Sequence, residues 1–137
     1  MNNFIFENST KVFFGKGCVK EYLSCWAGKF GERVLLAYGG CSIKKNGIYE
    51  EVTSILEKAG KTVIEFSGIM ANPTYEKVLE GAKIARENEV DWILGIGGGS
   101  VMDCCKAVSL AAISKKDIWK EYWAKPGIID FEPLPLG

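Results

Sequence analysis

The sequence predicts an open parallel α/β sheet with helices on both faces, and three observations carry that prediction. Between residues 33 and 113, short apolar runs alternate with longer stretches of helical spacing. Strand and helix in that alternation require parallel strands, right-handed crossovers and helices on both sides of the sheet. The runs RVLLAY (Arg33–Tyr38) and WILGI (Trp92–Ile96) are apolar without period-two alternation, as strands covered on both faces are. Both end in glycine, at Gly39-Gly40 and at Gly97-Gly98-Gly99, where a sharp βα turn is expected.

Taken in order, Phe4-Ile5-Phe6 and Val12-Phe13-Phe14 read as a β-hairpin over residues 1–15, joined across Asn8-Ser9-Thr10. A helix over 19–27 follows from the spacing of Val19, Tyr22, Leu23 and Trp26, with Gly28 as its stop. The strand Arg33–Tyr38 leads into Gly39-Gly40-Cys41-Ser42, a polar turn at 44–47, and a helix at Ile48–Lys58 with Val52, Ile55, Leu56 and Ala59 on one face. KTVIEF at 61–66 is the next strand. Thr74 caps a helix reaching about Asn88, with Val78, Leu79, Ala82, Ile84 and Ala85 as its apolar side. The strand of Trp92, Ile93, Leu94 and Ile96 and a helix over 101–112 complete the alternation. A short helix is expected within 115–123, then a turn at Lys125-Pro126-Gly127 and an extended lead-in over 132–137. Another strand is expected to follow, so the chain reads as one nucleotide-binding domain, 1–137, of a longer protein.

Composition narrows the function. The 137 residues suit one domain, and 47% hydrophobic content suits a real core. Lys+Arg and Asp+Glu are both 17, so no basic surplus points to nucleic acid. No apolar run approaches the roughly 18 residues of a membrane span, and the first residues do not form a signal peptide. The five cysteines show no metal-like spacing; reduced thiols and a cytoplasmic location are expected. There is no histidine, so imidazole catalysis and imidazole metal binding lie outside these residues.

The chemistry centres on residues 97–100. Backbone without a Cβ can approach a ligand closely. The first N–H groups of a helix lack internal partners, and its dipole favours an anion. Gly97, Gly98, Gly99 and Ser100 therefore form a candidate phosphate or pyrophosphate cradle, with Ser100 as helix cap and hydroxyl donor. A tight βα turn alone would explain one glycine there, but three followed by serine favour an anion site. Ligands in open sheets sit beyond the carboxyl ends of the strands, an edge that residues 39–42, 69–74 and 97–100 share.

The segments FIFENSTKVFFGKG, YGGCSIKKNGIYEEV, Asn72-Pro73-Thr74, GIGGGSVMDCCKAV and PLPLG resemble the iron-containing (group III) alcohol dehydrogenases, in their butanol dehydrogenase and aldehyde reductase branch. The resemblance covers nearly the whole chain. It implies a Rossmann-like nucleotide-binding domain, with a helical C-terminal domain, absent here, that holds Fe²⁺ or Zn²⁺ through an Asp and histidines. It implies reversible hydride transfer between NAD(P)H and an aldehyde–alcohol pair, in a homo-oligomer. Carried over, Gly97 to Ser100 would hold the pyrophosphate, Asn72 would touch the cofactor, and Asp103 would lie near the nicotinamide end. The bland readings are a turn residue before proline for Asn72 and a dipole-favoured acid for Asp103. Lys106 matches the family but reads as a solvated side chain. Two departures stand out: Cys41 replaces a glycine in the first turn, and Cys105 occupies a small-residue position. No metal ligand and no catalytic residue is expected in these 137 residues, which alone should be inactive.

For the cofactor, an acid ending the adenosine-side strand would select NAD(H). Arg33–Tyr38 ends instead in Gly39 and Gly40, followed by Ser42, Lys44 and Lys45, which favours NADP(H) over NAD(H). Alternative functions are a glycerol dehydrogenase or dehydroquinate-synthase-like domain, and a freestanding nucleotide-binding module.

Overall fold

The structure, a computed structural model, describes residues 3, 5, 8–124 and 128–137. In chain order it contains α1 (Cys18–Ala27), β1 (Arg33–Tyr38), α2 (Ser42–Lys45), α3 (Ile48–Lys58), β2 (Thr62–Phe66), α4 (Tyr75–Glu87), β3 (Trp92–Ile96) and α5 (Gly99–Ile113), then a single π-type turn at Trp119–Trp123. The three strands form a parallel sheet in the order β2-β1-β3. The chain leaves β1 toward one edge to make β2 and returns across it to make β3. The order therefore reverses between β1 and β3, and ligand crevices open at such a switch point, beyond the carboxyl ends of the strands.

The central strand divides the core. Val34, Leu36 and Tyr38 alternate onto one face, where they pack with Ala27, Val52, Leu56 and Trp92 under α1 and α3. Leu35 and Ala37 point to the other face and meet Val78, Ala82, Ala85, Val101, Cys104, Cys105 and Val108 of α4 and α5. One apolar strand thus serves two cores, which is why RVLLAY shows no alternation of polarity. Thr74 caps α4, its hydroxyl accepting from the Lys77 N–H at 3.3 Å, as the sequence predicts. The buried face of α4 is Val78, Gly81, Ala82 and Ala85; Leu79, expected there, is exposed.

Four expectations are corrected. First, no strand forms within residues 8–14, so the described residues carry no hairpin; Phe4 and Phe6 lie outside them. Phe13 instead stacks on Tyr22 of α1, ring centroids 4.6 Å apart. Second, the polar segment after Cys41 winds into α2 because Ile43 is buried beneath it. Third, β3 is covered on both faces only at Trp92 and Ile93; Leu94, Gly95 and Ile96 are half-buried. Fourth, the tail is already a partner of the sheet. Leu136 bridges Ile93 in parallel. The Ile93 N–H donates to the Pro135 carbonyl, and the Gly137 N–H donates to the Ile93 carbonyl, each at 2.9 Å. The prolines mask this in the sequence, yet a proline carbonyl still accepts. The turn expected at Lys125-Pro126-Gly127 lies outside the described residues.

Candidate functional site

The switch point brings the expected residues together. Beyond β1, the Gly39 carbonyl accepts from Gly68 N–H at 2.9 Å and the Tyr38 carbonyl from Ile69 N–H at 3.3 Å, tying the loop after β2 across the end of β1. That loop then reaches β3's turn, where Asn72 N–H donates to Ser100 Oγ at 3.4 Å. Residues 39–42, 69–74 and 97–100 form one hydrogen-bonded rim along the carboxyl edge. Asn72 sits at φ 52°, in the left-handed region. Asparagine is among the few non-glycine residues that tolerate it, so the Asn72-Pro73 turn is a structural requirement as well as a candidate contact.

The glycines of this rim divide into two kinds. A Cβ on Gly97 would lie 2.5 Å from Val101 Cγ2, and one on Gly39 would lie 3.1 Å from the Ile69 carbonyl oxygen. These two are glycines because the chain itself comes close. A Cβ on Gly40, Gly98 or Gly99 would meet nothing within 4 Å. None of these three has positive φ; Gly98 is extended at φ −88°, ψ −164°. Neither packing nor backbone conformation calls for glycine there, so what their missing side chains leave free is open approach to the backbone from outside.

Helix α5 begins at Gly99 with Gly98 as its cap. This corrects the expectation that Ser100 caps the helix: Ser100 lies inside the first turn and its hydroxyl engages Asn72. Met102 and Val101 N–H both donate to the Gly98 carbonyl, at 3.1 Å. The Gly99 and Ser100 N–H groups precede any intrahelical acceptor, at the positive end of the dipole. An anion placed there meets two donors and a hydroxyl.

Asp103 lies one turn further along α5, largely exposed, with Lys106 Nζ at 3.3 Å. It rims a hollow of about 260 Å³ with Pro73, Thr74, Tyr75, Trp119 and Trp123. A second hollow, about 630 Å³, runs along the far side of β3 past Gly97, Met102 and Lys106 to Gly137. Ser42 is exposed at the start of α2, beside exposed Cys41. Among the described residues no three Cys, Asp or Glu side chains gather as a metal site. None of their helices is long and apolar enough to cross a membrane.

Cys104 and Cys105 are buried, and burial pushes both thiols up, Cys105 to about 12. The thiolate is the reactive form. At pH 8, iodoacetamide should therefore modify exposed Cys25 and Cys41 while sparing Cys104 and Cys105 until the fold is denatured, as peptide mass mapping would read.

Sequence reasoning passed over Glu65 and Tyr49. Glu65 accepts from Tyr38 Oη at 2.6 Å and from Tyr49 Oη, and Lys44 Nζ lies 3.6 Å away. The available signal was an acid in the otherwise uncharged strand TVIEF.

A parallel α/β sheet with an open glycine turn on a helix N-terminus at its switch point is the architecture of nucleotide-binding domains. Residues 9–136 match the family model of the iron-containing alcohol dehydrogenases, and the chain belongs to that family. It is 42% identical over 137 residues to the probable NADH-dependent butanol dehydrogenase 2 of Bacillus subtilis, covering all of this chain and 34% of that protein. It is 41% identical over 115 residues to the NADPH-dependent aldehyde reductase YqhD of Escherichia coli, covering 82% of this chain and 28% of that one. The crystal structure of the NADH-dependent butanol dehydrogenase A of Thermotoga maritima superposes with a TM-score of 0.86 at 39% identity, over 99% of this chain and 34% of that one. The chain thus spans about a third of the length of these relatives.

Proposed function

We propose that this chain is the cofactor-binding part of an NAD(P)H-dependent, metal-dependent alcohol dehydrogenase that interconverts aldehydes and primary alcohols such as butanal and butanol. The observation that carries the reading is the pair Gly98 and Gly99, open to solvent and glycine for no internal reason, on the first turn of α5. The backbone N–H groups of this turn and the Ser100 hydroxyl would grip the diphosphate. Gly40 and Ser42 would face its adenosine half. Asn72 and Asp103, on the other side of the turn, would orient the nicotinamide half. The dinucleotide supplies hydride chemistry when bound; these residues bind and orient. Iron or zinc does not fit here, since the chain has no histidine and its described acids and thiols do not cluster. Its ligands belong to a helical domain outside these residues, and a homo-oligomer in the cytoplasm is the natural form of the whole enzyme.

Within this reading the chain favours NADP(H) over NAD(H). β1 ends in glycine rather than in an acid that would repel a 2′-phosphate, and Lys44 and Lys45 follow. Glu65 already neutralises part of the Lys44 charge, so the preference is modest. The test is butanal reduction by the whole protein with each cofactor. Turnover with kcat/KM several-fold higher for NADPH is expected, short of the roughly tenfold of one full charged contact because Glu65 shares the Lys44 charge. A higher value for NADH would remove the preference, and no reduction with either cofactor would remove the function.

A further inference from the structure

Four side chains from four elements, Tyr38, Lys44, Tyr49 and Glu65, meet in one cluster. Glu65 is the only charged residue of β2. Its register partner is Leu36, so its side chain emerges on the α3 face. There Tyr38, from the end of β1, donates its hydroxyl to Oε2 at 2.6 Å, and Tyr49, from α3, donates to Oε1. These bonds hold the carboxyl below its usual range and push the Tyr49 hydroxyl up to about 12. Lys44, on α2, completes the group. Its ammonium lies 4.4 Å from the Tyr49 ring centroid and 5.5 Å from that of Tyr38, within cation–π range. It stands 3.6 Å from Glu65 Oε2, too far for a hydrogen bond. The two hydroxyls thus satisfy much of the carboxylate, and the lysine is held beside it as an ion pair without a direct hydrogen bond.

Lys44 also follows Ser42 by two residues and the open Gly40 by four, on the short helix that leaves this turn. We propose that Glu65 is a positioning residue that sets the selectivity between phosphorylated and unphosphorylated nicotinamide dinucleotides, by competing with the 2′-phosphate for the Lys44 ammonium. This rests on the cofactor reading given above. Two anions cannot both draw fully on one cation, and the Tyr38 and Tyr49 hydroxyls decide how strongly the inner one pulls. NADH has no 2′-phosphate and does not enter the competition.

The experiment measures NADPH and NADH dissociation constants by cofactor fluorescence on the whole protein, at low and high salt. Lys44→Met should weaken NADPH about tenfold, the size of one charged contact, and leave NADH within about twofold. Glu65→Gln should tighten NADPH several-fold without moving NADH, and the gain should vanish in the Lys44→Met background and shrink in high salt. Tyr49→Phe should act with the opposite sign, because the less satisfied carboxylate pulls harder on Lys44. A merely structural role would move both cofactors together. If Glu65→Gln and Tyr49→Phe leave the NADPH-to-NADH ratio unchanged while Gly99→Leu still abolishes binding of both, the competition is wrong and the cofactor site stands. If Gly99→Leu binds both as the parent does, the site itself is wrong and the proposal falls with it. Should Glu65→Gln fail to fold by circular dichroism, the sign of Tyr49→Phe decides alone.

Discussion

Gly99→Leu should leave the fold intact and remove dinucleotide binding. A Cβ at this position meets nothing within 4 Å, and the residue already has helical conformation as the first of α5. Leucine is the better helix former, so stability should hold or rise, by up to about 0.8 kcal/mol. Side chains on a helix lean toward its N-terminus, which here is the open approach to the Gly99 and Ser100 N–H groups. Two charge-assisted hydrogen bonds lost at about 1.5–3 kcal/mol each amount to a fall in affinity of at least about a hundredfold. Isothermal titration with NADPH, beside a thermal melt of the same variant, separates the two effects. A variant that binds as tightly as the parent would show that the ligand goes elsewhere. Gly97→Ala is the contrast: its Cβ would press on Val101, and stability should fall by roughly 1–3 kcal/mol from overpacking.

That contrast marks how far the sequence can be read. The alternation of apolar runs and helical spacing was enough for the sheet, its parallel sense and the helix layers, because each rests on local periodicity. The rim of glycine turns was legible for the same reason: Gly97, Gly98, Gly99 and Ser100 stand together in the chain. Which glycines serve packing and which serve access was not legible, since that depends on where Val101 and the Ile69 carbonyl lie in space. The capping role expected of Ser100 failed because Gly98 and Gly99 enter the turn first and move the helix start back. Glu65, Tyr38, Tyr49 and Lys44 come from four elements, and no spacing rule joins them. The tail failed in the other direction. Its prolines read as a lead-in, yet Pro135 accepts through its carbonyl and Leu136 and Gly137 already pair with β3.

The largest loss of stability is expected at the opposite end of the same strand. Trp92 is fully buried at the start of β3, its ring stacked on Phe30 with centroids 5.2 Å apart. Its indole N–H donates to the Gly31 carbonyl at 3.2 Å. Trp92→Ala removes the largest of the fully buried side chains and should cost about 3–5 kcal/mol, a large share of the roughly 5–15 kcal/mol that keeps a domain folded. Urea unfolding followed by circular dichroism would read it as a lower midpoint. Trp92→Phe distinguishes the causes. It keeps a ring against Phe30, and the Gly31 carbonyl keeps a donor in Lys61 Nζ at 3.0 Å. If ring packing against Phe30 dominates, phenylalanine should cost clearly less than alanine, about 1–2 kcal/mol; a cost near that of alanine would show that a ring at this position does not carry the stability. Trp92 stands five residues before Gly97, roughly 16 Å along an extended strand, and packs in the core on the α1 and α3 face, away from the α4 and α5 core. The folded fraction of either variant should therefore bind dinucleotide within about twofold of the parent, since sites that share no partners act nearly independently. One strand then carries stability at its amino end and ligand access at its carboxyl end, and a Trp92 variant that folds but loses binding would break that separation.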